Sequence, residues 1–145
     1  MDTAGCIEVL EKAEYGIMGS VDSDNLPHAT PLSFIWHRGA VWFHCAPQGQ
    51  KIENMQYQPR VCFTVAQDIK AVYERDFTTL YKSVVIYGDA ECIEAEDEKR
   101  EVLQLLCLKH LPQHMEHFEQ ALKAMPRTAV YKITPVYMTG KHKRV

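Results

Sequence analysis

The sequence predicts a mainly β protein with helices, in which about six antiparallel strands form one barrel. Two observations lead to this prediction. Short apolar or alternating segments follow one another with only tight turns between them. The helical patterns are few and do not alternate with the strands, which disfavours a doubly wound parallel sheet. Consecutive strands joined by tight turns pair antiparallel, and closing their sheet into a barrel removes its exposed edges.

The chain opens with a helical pattern and then changes to strands. Thr3–Lys12 is predicted as a short helix because Ile7 and Leu10 fall on one face. Tyr15–Val21 is short and apolar and ends at residues 22–25, a cluster of Asp, Ser and Asn that favours a turn. The first strand is therefore predicted to end there and lead into a hairpin.

Two further strands are predicted around the turn at residues 37–39. Residues 28–36 form the first, and Pro31 places it at a sheet edge or bulge, because proline has no N–H for a strand ladder. Ala40–Cys45 forms the second, with side chains on alternate faces. One face is predicted to carry Val41, Phe43 and Cys45, and the other Trp42 and His44.

The second half contains three more strands and three helical segments. A glycine inside the long strand, Gly88, suggests a bulge, and Pro112 starts or kinks a helical piece. The elements are predicted as a helix at 51–57, a strand at 60–66, an irregular loop or lid at 68–79, a strand at 81–93, helices at 97–110 and 112–123, and a strand at 127–138.

Composition limits the classes of function. The 145 residues suit a single domain, 1–145, and the net charge of −3 disfavours binding to nucleic acid, which needs an excess of Lys and Arg. We expect no signal peptide, because residues 1–10 contain Asp2 and Glu8, and no membrane span, because no apolar run approaches ~20 residues. The five cysteines are odd in number and lack CxxC spacing, which favours reduced thiols in the cytoplasm over disulfides or a metal site.

The most informative stretch is residues 43–55, which read Phe-His-Cys-Ala-Pro-Gln-Gly-Gln-Lys-Ile-Glu-Asn-Met. This stretch resembles the strand–turn–helix signature of the pyridoxamine-phosphate-oxidase-like flavin-binding split barrels. It is most similar to their nitroimidazole-resistance branch, the nitroimidazole reductases. The segment 59–63, Pro-Arg-Val-Cys-Phe, matches the strand that follows in that branch. Segments 26–32, 81–91 and 138–141 match in order, so the resemblance spans nearly the whole chain.

The resemblance implies a six-stranded split β-barrel of the FMN-binding type that holds FMN at a homodimer interface. It also implies a small nitroaromatic substrate and an electron donor such as reduced nicotinamide. The vitamin-metabolising oxidases of the superfamily differ, since they have an arginine where this chain has Thr30 and a C-terminal motif that is missing here. The residues implied to bind FMN are Thr30, Pro31, Leu32, Ser33, His44, Cys45, Gln50, Lys51 and Ser83.

Lys51 and Gln50 are the candidate phosphate ligands. A helix N-terminus offers free N–H groups and a positive dipole end to an anion, and Lys51 would add a charge and Gln50 an amide. The alternative is an ordinary solvated lysine at the start of a surface helix. The strand residues would contact the flavin ring, partly through their backbone groups.

His44 is the candidate catalytic residue, placed by the resemblance beside the flavin ring. An imidazole there could donate a hydrogen bond or a proton to a nitro oxygen. The alternative is a structural histidine. The histidines at 110, 114 and 117 have helical spacing that could suit metal or heme, but Pro112 interrupts it and we interpret them as surface residues. The rival functions are another flavin oxidase or reductase, or a non-catalytic protein that binds flavin or heme.

Overall fold

The computed structural model describes residues 1–73 and 77–144. The main helices are α1 (Thr3–Lys12), α2 (Gln50–Tyr57) and α3 (Glu96–His110), with a short α4 (Phe118–Ala121) between two 3-10 turns, Pro112–His117 and Leu122–Arg127. The strands are β1 (Tyr15–Val21), β2 (Pro27–Ser33), β3 (Ile35–His37), β4 (Ala40–Cys45), β5 (Arg60–Tyr73), β6 (Phe77–Ile93) and β7 (Ala129–Lys143).

All of these strands belong to one antiparallel sheet with the order β2-β1-β5-β6-β7-β4-β3. The strands at the two ends of this order, β2 and β3, are joined by Phe34 alone. Two residues separated by one other lie at most about 7 Å apart. The sheet must therefore curl until its first and last strands adjoin, which confirms a curled antiparallel sheet of barrel type.

The prediction of six strands is wrong, because the described residues form seven. The predicted strand 28–36 divides at Phe34, which is fully buried. Its ring packs edge-on against Phe63 at 4.8 Å between ring centroids. Burying this ring in the interior turns the backbone out of β2, and the chain resumes as β3 at the opposite end of the sheet order.

Two hydrophobic cores lie on opposite sides of the sheet. The interior core contains Phe43 and Phe63, and α1 and α2 contribute side chains to it. The second core lies outside β3 and β4, where Trp42 packs with Val102 and Leu106 of α3. The predicted alternation along β4 is confirmed, since Val41 and Phe43 belong to the interior core and Trp42 to the outer one.

The β5–β6 hairpin is longer than predicted. Residues 68–73 and 77–79 are strand rather than an irregular loop, and their pairing runs from Lys70–Leu80 to Tyr73–Phe77. The register shifts between Gln67 and Lys70, where Asp68 has a φ of 54°. The paired residues of this two-stranded extension are exposed or half-buried, and the rings of Tyr73 and Phe77 contact each other across it at 4.8 Å between centroids. The remaining residues of the predicted loop, 74–76, lie outside the described residues.

The bulge predicted at Gly88 is confirmed by a register shift between Tyr87 and Gly88 against β7. A Cβ at Gly88 would lie 2.5 Å from the carbonyl oxygen of Thr134, so the two backbones approach closely. Beyond this shift β7 stays paired with β6 as far as Lys143, rather than ending at residue 138. In the described part of the chain, no helix has the length and apolar character needed to cross a membrane.

Candidate functional site

The turn between β4 and α2 presents a helix N-terminus. Gly49 is the N-cap with a φ of 135°, a conformation that favours glycine. No side chain caps the helix, so the N–H groups of its first turn keep their capacity to bind an anion. Lys51 follows as the second helical residue and is half-buried. This turn therefore combines a positive dipole end with a lysine.

Two linked hydrogen bonds, the second of them buried, fix α2 to the sheet. Gln50 Nε2 donates to Asn54 Oδ1 at 2.7 Å, and Asn54 Nδ2 donates to Ser20 Oγ on β1 at 3.1 Å. Asn54 is 1% exposed. One amide hydrogen of Gln50 is thus engaged within the helix, and the start of α2 is held in one orientation relative to β1.

His44 and Cys45 end β4 close to Lys51. Burial lowers the pKa of His44, and the nearby charges of His110 and Lys51 lower it further. His44 is an exposed residue, but enough protein surrounds its ring to disfavour the cationic form. Burial raises the pKa of Cys45, although Lys51 opposes this shift. His44 is therefore a neutral imidazole near pH 7, and Cys45 is a protonated thiol.

His44 lies at a pocket of about 500 Å³. The pocket is bounded by the C-terminal half of α3, by α4 and by the second 3-10 turn. Its lining is mainly apolar. The lining residues are Ser33, His44, Leu103, Leu106, Cys107, His110, Leu111, Phe118, Ala121, Leu122, Ala124, Met125 and Thr128.

The pocket is tied to the junction between β2 and β3. His110 Nε2 lies 2.9 Å from the carbonyl oxygen of Phe34, and Lys109 Nζ donates to the same oxygen at 3.2 Å. Because a carbonyl only accepts hydrogen bonds, His110 carries its hydrogen on Nε2. The ammonium of Lys109 also lies 4.4 Å from the Phe34 ring centroid, and burial lowers its pKa. These contacts hold the end of α3 against the sheet.

A second surface of interest is the outer face of β2, β1, β5, β6 and β7, which we call the open face. The helices bury their side chains elsewhere, in the interior core and outside β3 and β4. Strand pairing lines up two rows of side chains across the open face, all exposed or half-buried. The rows are Pro31, Ile17, Thr64, Val85 and Thr139, and Ala29, Gly19, Cys62, Tyr87 and Tyr137. Most of these side chains are small or apolar.

The structure brings some of the sequence-predicted site residues together. Ser33 and His44 share the pocket, and Lys51 is near enough to influence the pKa of His44 and Cys45.

The other predicted residues are more dispersed. The side chain of Pro31 lies on the open face, whereas those of Thr30 and Leu32 lie on the interior side of β2. β2 is an edge strand, which confirms the prediction that Pro31 lies at a sheet edge or bulge. Ser83, on β6, lies three strands from β2, about 14 Å at the usual strand spacing.

Sequence reasoning missed the pocket residues contributed by α3 and the segment after it. His110 was interpreted as a surface residue, yet it is partly buried at the pocket. His114 and His117 are exposed, with ring centroids 6.3 Å apart. Among the residues described, no group of three or more potential metal ligands is found. The apolar positions that follow Pro112 were the available signal for the pocket.

Comparison with known proteins agrees with this architecture. A family model described as pyridoxamine 5'-phosphate oxidase matches residues 2–142. A search of curated proteins finds no match. Among solved structures, a proposed 5-nitroimidazole antibiotic resistance protein from Bacteroides thetaiotaomicron has a TM-score of 0.81 and 24% sequence identity, over 96% of this chain and 82% of that chain.

Two other solved structures are similar. The flavocytochrome Anf3 from Azotobacter vinelandii has a TM-score of 0.85 and 22% identity, covering 99% of this chain and 68% of that one. An FAD and heme binding protein from Mycobacterium smegmatis has a TM-score of 0.84 and 18% identity, covering 99% and 72%. At these identities the likeness establishes a shared fold.

Proposed function

This chain belongs to the pyridoxamine 5'-phosphate oxidase family, and from that premise we propose that it is an FMN-dependent oxidoreductase. Its acceptors are small nitroaromatic compounds of the nitroimidazole type, and its site lies at a homodimer interface. The names of two relatives support a flavin: the flavocytochrome and the FAD and heme binding protein. The name of the Bacteroides relative, which refers to 5-nitroimidazole resistance, supports the nitroaromatic acceptor.

The observation that carries the proposal is Lys51 at the uncapped N-terminus of α2. A flavin phosphate needs hydrogen-bond donors and a positive charge, and this turn provides both. The hydrogen bonds from Gln50 through Asn54 to Ser20 hold the turn in place before any ligand arrives. Such preorganisation reduces the entropy that binding would otherwise cost. The residues present therefore fit a phosphorylated cofactor.

The flavin ring needs a flat slot, and the interior of the barrel is filled by its own core. The open face, by contrast, is broad and mostly apolar. β2 ends the strand order, so among the described residues the backbone groups along its other side have no neighbouring strand. We propose that a second copy of the chain covers the open face and completes the slot. Pro31, Ser33 and Ser83 would then contact the ring, and Thr30 and Leu32, whose side chains point to the interior, would contact it through backbone groups.

When bound, the flavin supplies the hydride and electron chemistry. Reduction of a nitro group to a nitroso group by reduced nicotinamide consumes one hydride and one proton and releases water. His44 is proposed to orient the acceptor by donating a hydrogen bond to a nitro oxygen. Its lowered pKa favours this over donation of a proton near pH 7, because the imidazole is already neutral. Water would then deliver the proton.

Heme is a weaker candidate cofactor, and it would occupy the pocket beside His44. Two histidines line it, His44 and His110, and its lining is otherwise mainly apolar. However, His110 Nε2 is already engaged with the Phe34 carbonyl. Heme ligation would have to break that contact or use His44 alone. The Soret region of the absorption spectrum distinguishes the two cofactors directly.

The test of function uses the purified protein. We expect a yellow protein with flavin absorbance whose released cofactor has the mass of FMN. Under anaerobic conditions, NADH or NADPH should bleach the flavin, and 2-nitroimidazole should restore its colour. His44→Ala should retain flavin and slow only the second half-reaction. Failure of any nitro compound to reoxidise the flavin faster than oxygen does would refute the nitroreductase assignment.

The dimer is tested by a charge placed on the open face. Val85 lies within it, paired with Thr64 and Thr139. Val85→Arg should give a monomer in sedimentation velocity and lower FMN affinity. Leu108→Arg, an exposed position on α3, adds the same charge elsewhere and should leave both properties unchanged. A dimer that survives Val85→Arg with full FMN affinity would argue against this interface.

A further inference from the structure

The pocket beside His44 has a chemical character that limits what it can bind. Its volume of about 500 Å³ falls in the range of small-molecule sites, roughly 300–1,000 Å³. Leu103, Leu106, Leu111, Phe118 and Met125 are among the apolar side chains that line it. A small, largely apolar molecule would therefore fit and remove apolar surface from water.

The lining residues in the described chain include no Asp, Glu, Lys or Arg. An anion buried there without a partner would pay a large desolvation penalty. Two ammonium groups of α3 are close to lining residues, and both are engaged. Lys99 donates to the carbonyl of Met125 at 3.3 Å, and Lys109 donates to the Phe34 carbonyl and lies over the Phe34 ring. Using either of them for a ligand would mean breaking these contacts. The pocket thus disfavours phosphorylated and carboxylated molecules.

Polar groups of the pocket suit an uncharged ligand. Ser33 offers a hydroxyl, and His44 offers a neutral imidazole. His110 keeps its Nδ1 free of the Phe34 contact. A nitro, carbonyl or hydroxyl group can pair with donors and acceptors of this kind, and a few such groups in an apolar wall fix orientation.

We propose that this pocket selects uncharged, largely apolar molecules and excludes phosphorylated ones. The inference rests on the proposed function, because there the pocket holds the electron acceptor. The proposal gives the fold two separate binding sites. The start of α2 binds the phosphate of the cofactor, and α3, α4 and the second 3-10 turn bind the electron acceptor. A phosphorylated vitamin is therefore a poor substrate for this chain.

The experiment compares two probes of equal ring size on the purified protein as it is isolated, in excess inorganic phosphate, which occupies the proposed anion site at the start of α2. 1-Naphthol is uncharged at pH 7 and 1-naphthyl phosphate is anionic. Isothermal titration should give a Kd at least about tenfold lower for 1-naphthol, which corresponds to 1.4 kcal/mol. Equal affinity, or tighter binding of the phosphate, would overturn the inference.

The location is tested by blocking the pocket. Ala121 lines it from α4, while its neighbour Gln120 is exposed and not part of the lining. Ala121→Trp should weaken 1-naphthol binding at least about tenfold, and Gln120→Trp should leave it unchanged. If Ala121→Trp folds poorly, Ala124→Trp in the second 3-10 turn serves as an alternative variant that blocks the pocket. Unchanged binding in a folded blocking variant would overturn the location.

The flavin spectrum of each sample keeps the two proposals apart. A colourless protein that still prefers 1-naphthol would refute the flavin assignment while the pocket selectivity stands. A flavoprotein without that preference would refute the selectivity alone.

Discussion

Replacing Lys51 with alanine tests the proposed phosphate site most directly. The lysine occupies the first turn of α2, where its charge adds to the helix dipole. A charge-assisted hydrogen bond is worth roughly 1.5–3 kcal/mol. At 1.4 kcal/mol per tenfold change, Lys51→Ala should weaken FMN binding about ten- to a hundredfold. The backbone N–H groups remain, so some affinity should persist.

The assay is titration of the flavin-free protein, followed by quenching of flavin fluorescence. Riboflavin, which lacks the phosphate, serves as the ligand control, and its affinity should change by less than about twofold. Lys70→Ala removes the same charge from the exposed β5 and should have no effect. If Lys51→Ala weakens FMN and riboflavin equally, the lysine does not act on the phosphate. If neither changes, the anion site is wrong.

Three further predictions concern the protein without a ligand. An NMR titration of His44 should give a pKa below 6.5, and Lys51→Ala should raise it, because the lysine charge lowers that pKa. A depressed pKa favours the neutral imidazole in the folded state. The contribution of His44 to stability should therefore be complete above about pH 6.5 and decline as pH falls toward its folded pKa. If the difference in free energy of unfolding between wild type and His44→Asn does not change with pH, this expectation is contradicted. Asn54→Ala should reduce the free energy of unfolding in urea by about 1–3 kcal/mol, because it leaves the buried Ser20 hydroxyl without its partner, and the loss should be non-additive with Ser20→Ala. Gly16→Ala should destabilise by about 1–3 kcal/mol, because a Cβ there would lie 2.3 Å from the Phe63 ring; unchanged stability would mean that this ring moves freely.

The elements that sequence predicted with correct bounds are those whose signal is local. Thr3–Lys12, Tyr15–Val21 and Ala40–Cys45 each combine a clear apolar period with a turn at the end. Residues 68–79 lack such a period, because the outer part of the β5–β6 hairpin has no core to face. Its pairing depends on the partner strand, which local patterns do not reveal.

The residues of the candidate site also differ in whether a local sequence signal could identify them. His44, Cys45 and Lys51 are close in sequence, so a motif could identify them together. The pocket is different, because its wall comes from α3 and α4 while His44 comes from β4. The contact between His110 and Phe34 joins residues 76 positions apart. No spacing rule predicts such a contact, so local patterns could not show that His110 is partly buried.

Phe34 takes part both in the closure of the sheet and in the placement of α3. Its buried ring divides the predicted strand and lets the sheet close, while its carbonyl receives Lys109 and His110 from the end of α3. A β2 that continued through Phe34 would have kept its backbone hydrogen bonds. The break in the strand at Phe34 must therefore be stabilised by the contacts that Phe34 makes. Those contacts hold α3 where the pocket forms. The closure of the barrel and the position of the pocket wall are therefore consequences of the same residue, and a change at Phe34 should disturb both together.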